Sequence, residues 1–157
     1  LEIVKRTTAD LESRIVPTLD AERIGQLTRV VRKVPIADHV ARYALKLARL
    51  TRSNQPDAPE FIRENVTWGA GPRASQYMVL GAKARAILHG RNYVSQEDIR
   101  SVALPVLRHR IKTNFNAEAE GISASDLIRR LIEHLPADES SNDRGHVAEV
   151  FRSADAG

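Results

Sequence analysis

Between its prolines this sequence repeats apolar residues at intervals of three and four, a spacing that admits little except helices packed by one face. The clearest run is residues 36–50, where Ile36, Val40, Tyr43, Ala44, Leu47 and Leu50 share a stripe and Lys46, Arg49 and Arg52 lie off it. Asp20 is placed to cap a preceding helix that carries Ile24, Leu27, Val31 and Val34 and stops near Pro35. An earlier helix over residues 1–16 would bury Leu1, Val4, Leu11 and Ile15, with an interruption at Thr7–Asp10 and a stop at Pro17. A longer helix runs from Pro72 to about His89, with Ala74, Tyr77, Met78, Gly81, Ala84 and Leu88 on the face expected to be buried. Glycine inside a helix costs about 1 kcal/mol relative to alanine, so Gly81 marks close helix–helix packing. Gly90 closes that helix. Ser95 with Asp98 reads as a capping box for the next, which Pro105 is expected to bend. Gly121 and Ser123 precede a last stripe, Leu127, Ile128, Leu131, Ile132 and Leu135, ending at Pro136.

The core that these stripes can build is aliphatic, because hydrophobic residues make up 42% of the 157 and aromatic ones only 4%. Residues 53–60 have the composition of a loop, with Phe61, Ile62 and Val66 pinning it to the core, and residues 112–115 read as extended. No run of strands and no internal repeat is visible. The expected architecture is an all-α bundle of five or six helices over residues 1–136. Residues 137–157 read as a polar, acidic, mobile tail in which Val147, Val150 and Phe151 are the few large apolar residues. Charge is divided unevenly: residues 1–113 carry 20 Lys/Arg against 11 Asp/Glu, and residues 114–157 carry 4 against 9. The basic portion suits phosphates or an acidic surface, or is simply a solvated helical face. The lack of cysteine excludes disulfides and thiolate metal sites and fits a cytoplasmic protein. No apolar run approaches the roughly 20 residues of a membrane span. The chain opens on Leu1 within a helical pattern, which reads as a piece of a longer protein.

One stretch stands out chemically, Val66-Thr67-Trp68-Gly69-Ala70-Gly71-Pro72-Arg73-Ala74-Ser75. Two glycines allow a tight turn, and Pro72 suits the first position of a helix. Arg73 then falls in the first turn, where the helix dipole and free N–H groups also favour an anion. Taken alone, the pattern is equally a plain helix start with a solvated arginine. Elsewhere the sequence has no phosphate-binding Gly-x-x-x-x-Gly-Lys-Ser/Thr loop, no metal-ligand spacing and no nucleophile–base pair. Its five histidines are scattered. By itself the chain is a binding or lever element, not a complete enzyme.

The segment Gly69-Ala70-Gly71-Pro72-Arg73-Ala74-Ser75 resembles the Gly-Ala-Ser-Pro-Arg-Ala segment in the C-terminal lid of the MoxR family of AAA+ ATPases. The resemblance runs on through Ala82–Ala86, His89–Val94, Glu97–Ile99, Leu104–Ile111, Asn114-Phe115 and Glu118–Gly121. Leu1–Arg6 is similar to the helix leading into that lid, so the likeness spans roughly residues 1–136. Gly71 departs from it, standing where the family commonly has serine. The resemblance implies that Arg73 is the sensor 2 arginine, reaching the γ-phosphate of an ATP held between an α/β core and the lid. Gly71 and Pro72 would lie beside that nucleotide. It implies that the P-loop lysine, the residues holding Mg²⁺ and the arginine finger belong to a core outside this chain. On that reading the isolated chain does not hydrolyse ATP. It further implies ring assemblies, hexameric by family habit, and chaperone-like action with von Willebrand factor A domain proteins. Arg108 and Arg110 are left open between the core and a neighbouring subunit.

Two other classes compete with the lid reading. A nucleic-acid-binding helical module would use the basic charge of residues 1–113, with Ser95–Ile111 as a helix-turn-helix. Pro105 inside the would-be recognition helix speaks against it. A purely structural interaction domain would leave Arg73 packed or solvated.

Overall fold

The computed structural model describes residues 1–8 and 16–137, which form eight helices and one small sheet. The helices are α1 (Glu2–Thr7), α2 (Ala21–Lys33), α3 (Asp38–Leu50), α4 (Glu60–Asn65), α5 (Pro72–Leu88), α6 (Gln96–Leu107), α7 (Phe115–Ala119) and α8 (Ala124–His134). Strands β1 (Val66–Trp68) and β2 (Lys112–Thr113) pair antiparallel, Val66 opposite Thr113 and Trp68 opposite Lys112. The all-α reading holds, with more and shorter helices than expected. The sheet is a departure, made by long-range pairing that no local periodicity announces. Phe115, expected to be extended, instead opens α7, because Asn114 caps it by accepting from Ala117 N at 3.0 Å. The Leu11 and Ile15 positions and the tail beyond residue 137 lie outside the described residues.

Helix α5 is the centre of the packing and lies against α6, α3 and α2. Its buried row is Ala74, Met78, Ala82 and Ala86, spaced by four. Three small alanines let neighbouring helices approach closely. Tyr77 and Leu88, expected in the core, are exposed instead. This helix is apolar on several faces, so periodicity could not select the buried one. Gly81 does meet α6, but a Cβ placed there would stand 3.5 Å from Val102, an ordinary contact. Helix α3 buries Val40, Tyr43, Ala44, Leu47 and Leu50 as its stripe predicts, with Ile36 half-buried.

The N-terminal helices correct the expectation of burial. Leu1 and Val4 are exposed, and on α2 Ile24 and Leu27 are 53% and 48% exposed. Val31 is half-buried and Val34, just past the helix, is buried. Periodicity reports an amphipathic helix and not whether anything covers it.

Two of the polar fastenings in the bundle involve α6. The C-terminal turn of α8 leaves carbonyls without helical partners. Arg100 Nη1 donates to Ile132 O at 2.7 Å and to Leu135 O at 2.9 Å, while Tyr43 Oη donates to Leu135 O at 2.6 Å. Helices α3, α6 and α8 are thereby joined. At the other point, Ser95 and Asp98 form the predicted capping box of α6. The Asp98 side chain is 1% exposed and receives a bidentate pair from Arg91 at 2.7 and 2.6 Å. Burial alone would raise its pKa. The hydrogen bonds from Arg91 and Ser95 outweigh that and hold it below the usual carboxylate value.

Two outcomes follow for stability. Gly81→Ala is expected to raise stability by up to about 1 kcal/mol, since the helix gains and the space exists; thermal melting checks this. Asp98, with its folded pKa depressed, contributes stability above the unfolded value of roughly 4 that is lost as pH falls through the folded value. Melting temperature against pH should therefore show an acid-side decline in the wild type that is shallower in Asp98→Asn. The variant should also be less stable at neutral pH, by on the order of 2 kcal/mol, because Arg91 loses its partner.

Candidate functional site

The singled-out turn connects β1 to α5 and is clamped onto the end of α3. Thr51 caps α3, is fully buried, donates its hydroxyl to Ala48 O at 2.7 Å and accepts from Ala70 N at 2.9 Å. Arg52 Nε donates to Ala70 O at 2.8 Å. Both polar groups of the Ala70 backbone are thus satisfied by neighbouring residues of one segment. The fit demands Gly69: a Cβ there would stand 2.4 Å from Thr51 O and 2.7 Å from Arg52 Cα, both backbone atoms.

Gly71 plays a different part from the one its sequence suggests. It is the N-cap of α5, with φ −79° and ψ 179°, ordinary extended backbone, and a Cβ there would meet nothing within 4 Å. The turn therefore needs glycine at 69 and not at 71. Pro72 occupies the first helical position as predicted. Arg73 follows it and is exposed, with no hydrogen bond or ion pair to any described residue. No acidic side chain lies in the first turn of α5. Helix dipole, Arg73 and nearby Arg52 therefore make a positive point on an anchored backbone.

Gly71 and Pro72 also line a concavity of about 370 Å³, together with Arg52, Ser53, Asn54, Thr67, Trp68, Gly69 and Ala70. The turn was legible in the sequence, but its supports were not. No local pattern marks Thr51, and Arg52 reads only as a basic residue off the α3 stripe. Their link to Ala70 spans 19 and 18 residues, beyond any local pattern. Trp68 belongs to the same stretch, and its isolation among so few aromatics is its signal. Of the arginines left open, Arg108 is exposed, whereas Arg110 lies half-buried with its guanidinium 5.1 Å from the Tyr77 ring centre. Among the described residues no group of three His, Asp or Glu is arranged to hold a metal.

Gly69 and Gly71 should respond oppositely to substitution. Gly69→Ala is expected to cost about 1–3 kcal/mol, as forced overpacking does. Gly71→Ser should gain a few tenths of a kcal/mol by adding a capping hydroxyl. Chemical denaturation of both variants reads the difference.

Residues 60–131 match the family model described as AAA lid domain, a span that includes the turn, Arg73 and α4 through most of α8. The chain is 32% identical over 117 residues to chaperone MoxR1 of Mycobacterium tuberculosis, covering 73% of this chain and 31% of that protein. It is 30% identical over 138 residues to protein MoxR of Methylorubrum extorquens, covering 84% and 39%. A crystal structure of a Cytophaga hutchinsonii protein provisionally assigned as an ATPase superposes with a TM-score of 0.74 at 28% identity, covering 88% of this chain and 42% of that one. The chain spans about a third of the length of the MoxR relatives it matches. It belongs to the MoxR-like AAA+ ATPase family and carries that family's helical lid domain.

Proposed function

We propose that residues 1–136 act as the nucleotide-responsive lid of a MoxR-like ATPase and that Arg73 is its sensor 2 residue. The observation that carries this reading is an exposed arginine without an internal partner in the first turn of the 17-residue helix α5. The turn that presents it is fixed by Gly69, Thr51 and Arg52. A guanidinium so placed can meet two phosphate oxygens side by side, with the α5 N-terminus adding to the field. Such a contact stabilises charge on the transferring phosphoryl group. Gly71 and Pro72 lie alongside the same nucleotide. The Mg²⁺ that accompanies ATP and the attacking-water machinery belong to the α/β core.

Arg73 would also make lid position depend on the γ-phosphate. With the phosphate present, lid and core are bridged; after hydrolysis the bridge is lost and the lid is released. In a cytoplasmic ring of such subunits, a hexamer by family habit, this motion would be passed to neighbours. It would be spent on remodelling client complexes together with von Willebrand factor A domain proteins. No helix among the described residues is long and apolar enough to cross a membrane.

Turnover by the intact ATPase tests the assignment. Arg73→Ala is expected to lower ATP hydrolysis about a hundredfold or more, roughly 2.7 kcal/mol of barrier. Its melting temperature should stay close to wild type, because the side chain is exposed and unpaired. Equal turnover would reduce the Gly-Pro-Arg turn to a helix start.

A further inference from the structure

Trp68 is 73% exposed, an unusual position for the chain's single tryptophan. Its indole N–H has no acceptor among the described residues, and no aromatic or cationic side chain among them stacks on it. Its backbone is nonetheless held firmly. Trp68 pairs with Lys112 across the sheet, and the next residue is the Gly69 wedged against Thr51 and Arg52. A large flat ring on a fixed backbone is ready to bind a flat partner with little loss of freedom.

The concavity beside it has the complementary chemistry. Its volume of about 370 Å³ falls in the range of small-molecule sites. Ser53 and Asn54 line it, and their side chains make no hydrogen bond to any described residue. Arg52 spends Nε on Ala70 O and keeps its two terminal nitrogens free of bonds to described residues. The opposite wall is Gly71 and Pro72, which lead directly to Arg73. We propose that this concavity receives the base of the bound nucleotide, stacked on Trp68, with the Arg52 guanidinium and the polar groups of Ser53 and Asn54 along the base and sugar. The proposal rests on the reading that the phosphates lie toward Arg73. Trp68 would then supply affinity for the nucleoside and Arg73 would respond to the γ-phosphate, two duties on one turn.

The test compares ADP with inorganic tripolyphosphate, which has phosphates and no base, as ligands of the intact ATPase. Dissociation constants are measured for the wild type, Trp68→Ala, Trp68→Phe and Arg73→Ala. Trp68→Ala should weaken ADP about tenfold, as loss of one aromatic–base stack does, and leave tripolyphosphate unchanged. Trp68→Phe should restore most of the ADP affinity. Unchanged ADP binding in Trp68→Ala overturns the proposal, and so does an equal loss for both ligands. Unchanged ADP binding with a smaller assembly in sedimentation also overturns it, and assigns Trp68 to a subunit contact. Failure of the phosphate reading looks different: Arg73→Ala then keeps full turnover, whatever Trp68 does to ADP.

Discussion

The geometry of this domain hangs on the contact between the Ala70 peptide groups and the end of α3. One hydroxyl and one guanidinium nitrogen, from adjacent residues Thr51 and Arg52, satisfy the N–H and C=O of the same residue. Buried backbone groups without partners are costly, so this pairing sets where the turn can run. Only a residue without Cβ fits at position 69 under that constraint. Everything that follows in the chain, including the start of α5 and the direction of Arg73, inherits its position from there.

Helix α5 transmits that position into the bundle. Its row of small alanines draws α3 and α6 close, so the element carrying Arg73 is also the one with the most extensive packing. Polar fastenings add to this: Asp98 at the start of α6 holds Arg91 and, at 3.4 Å, Arg85 of α5, and Arg100 joins Tyr43 at the end of α8. A domain tied in this way is suited to move as one body. A force applied at the α5 N-terminus would then reach the helices packed on α5, α2 with its exposed stripe among them.

Much of this was legible in the sequence. The α3 stripe, the capping box at Ser95, the helix start at Ser123, the Pro72 start of α5 and the Gly90 stop are local signals, and each appears where its residues place it. Gly90 and Gly121, at φ 68° and 71°, are positions where the left-handed backbone calls for glycine. What was illegible depended on distant partners. The β1–β2 pairing joins residues more than forty apart, and Val66 alone, read as a core anchor, could not reveal it. The α2 stripe predicted its helix but not its exposure, since a pattern cannot name its cover. In the candidate site, Gly71, Pro72 and Arg73 were visible because their chemistry is local. Thr51 and Arg52 matter only through contacts that folding creates.

The central claim is that Arg73 makes lid position answer to the γ-phosphate. It is tested most directly by the distance between a label on the exposed face of α8 and one on the core of the intact ATPase, read by resonance energy transfer. The distance should differ between the ADP-bound state and the state holding a non-hydrolysable ATP analogue in the wild type. In Arg73→Ala the two nucleotides should give the same distance. A variant that still changes distance with the γ-phosphate as the wild type does would contradict the account.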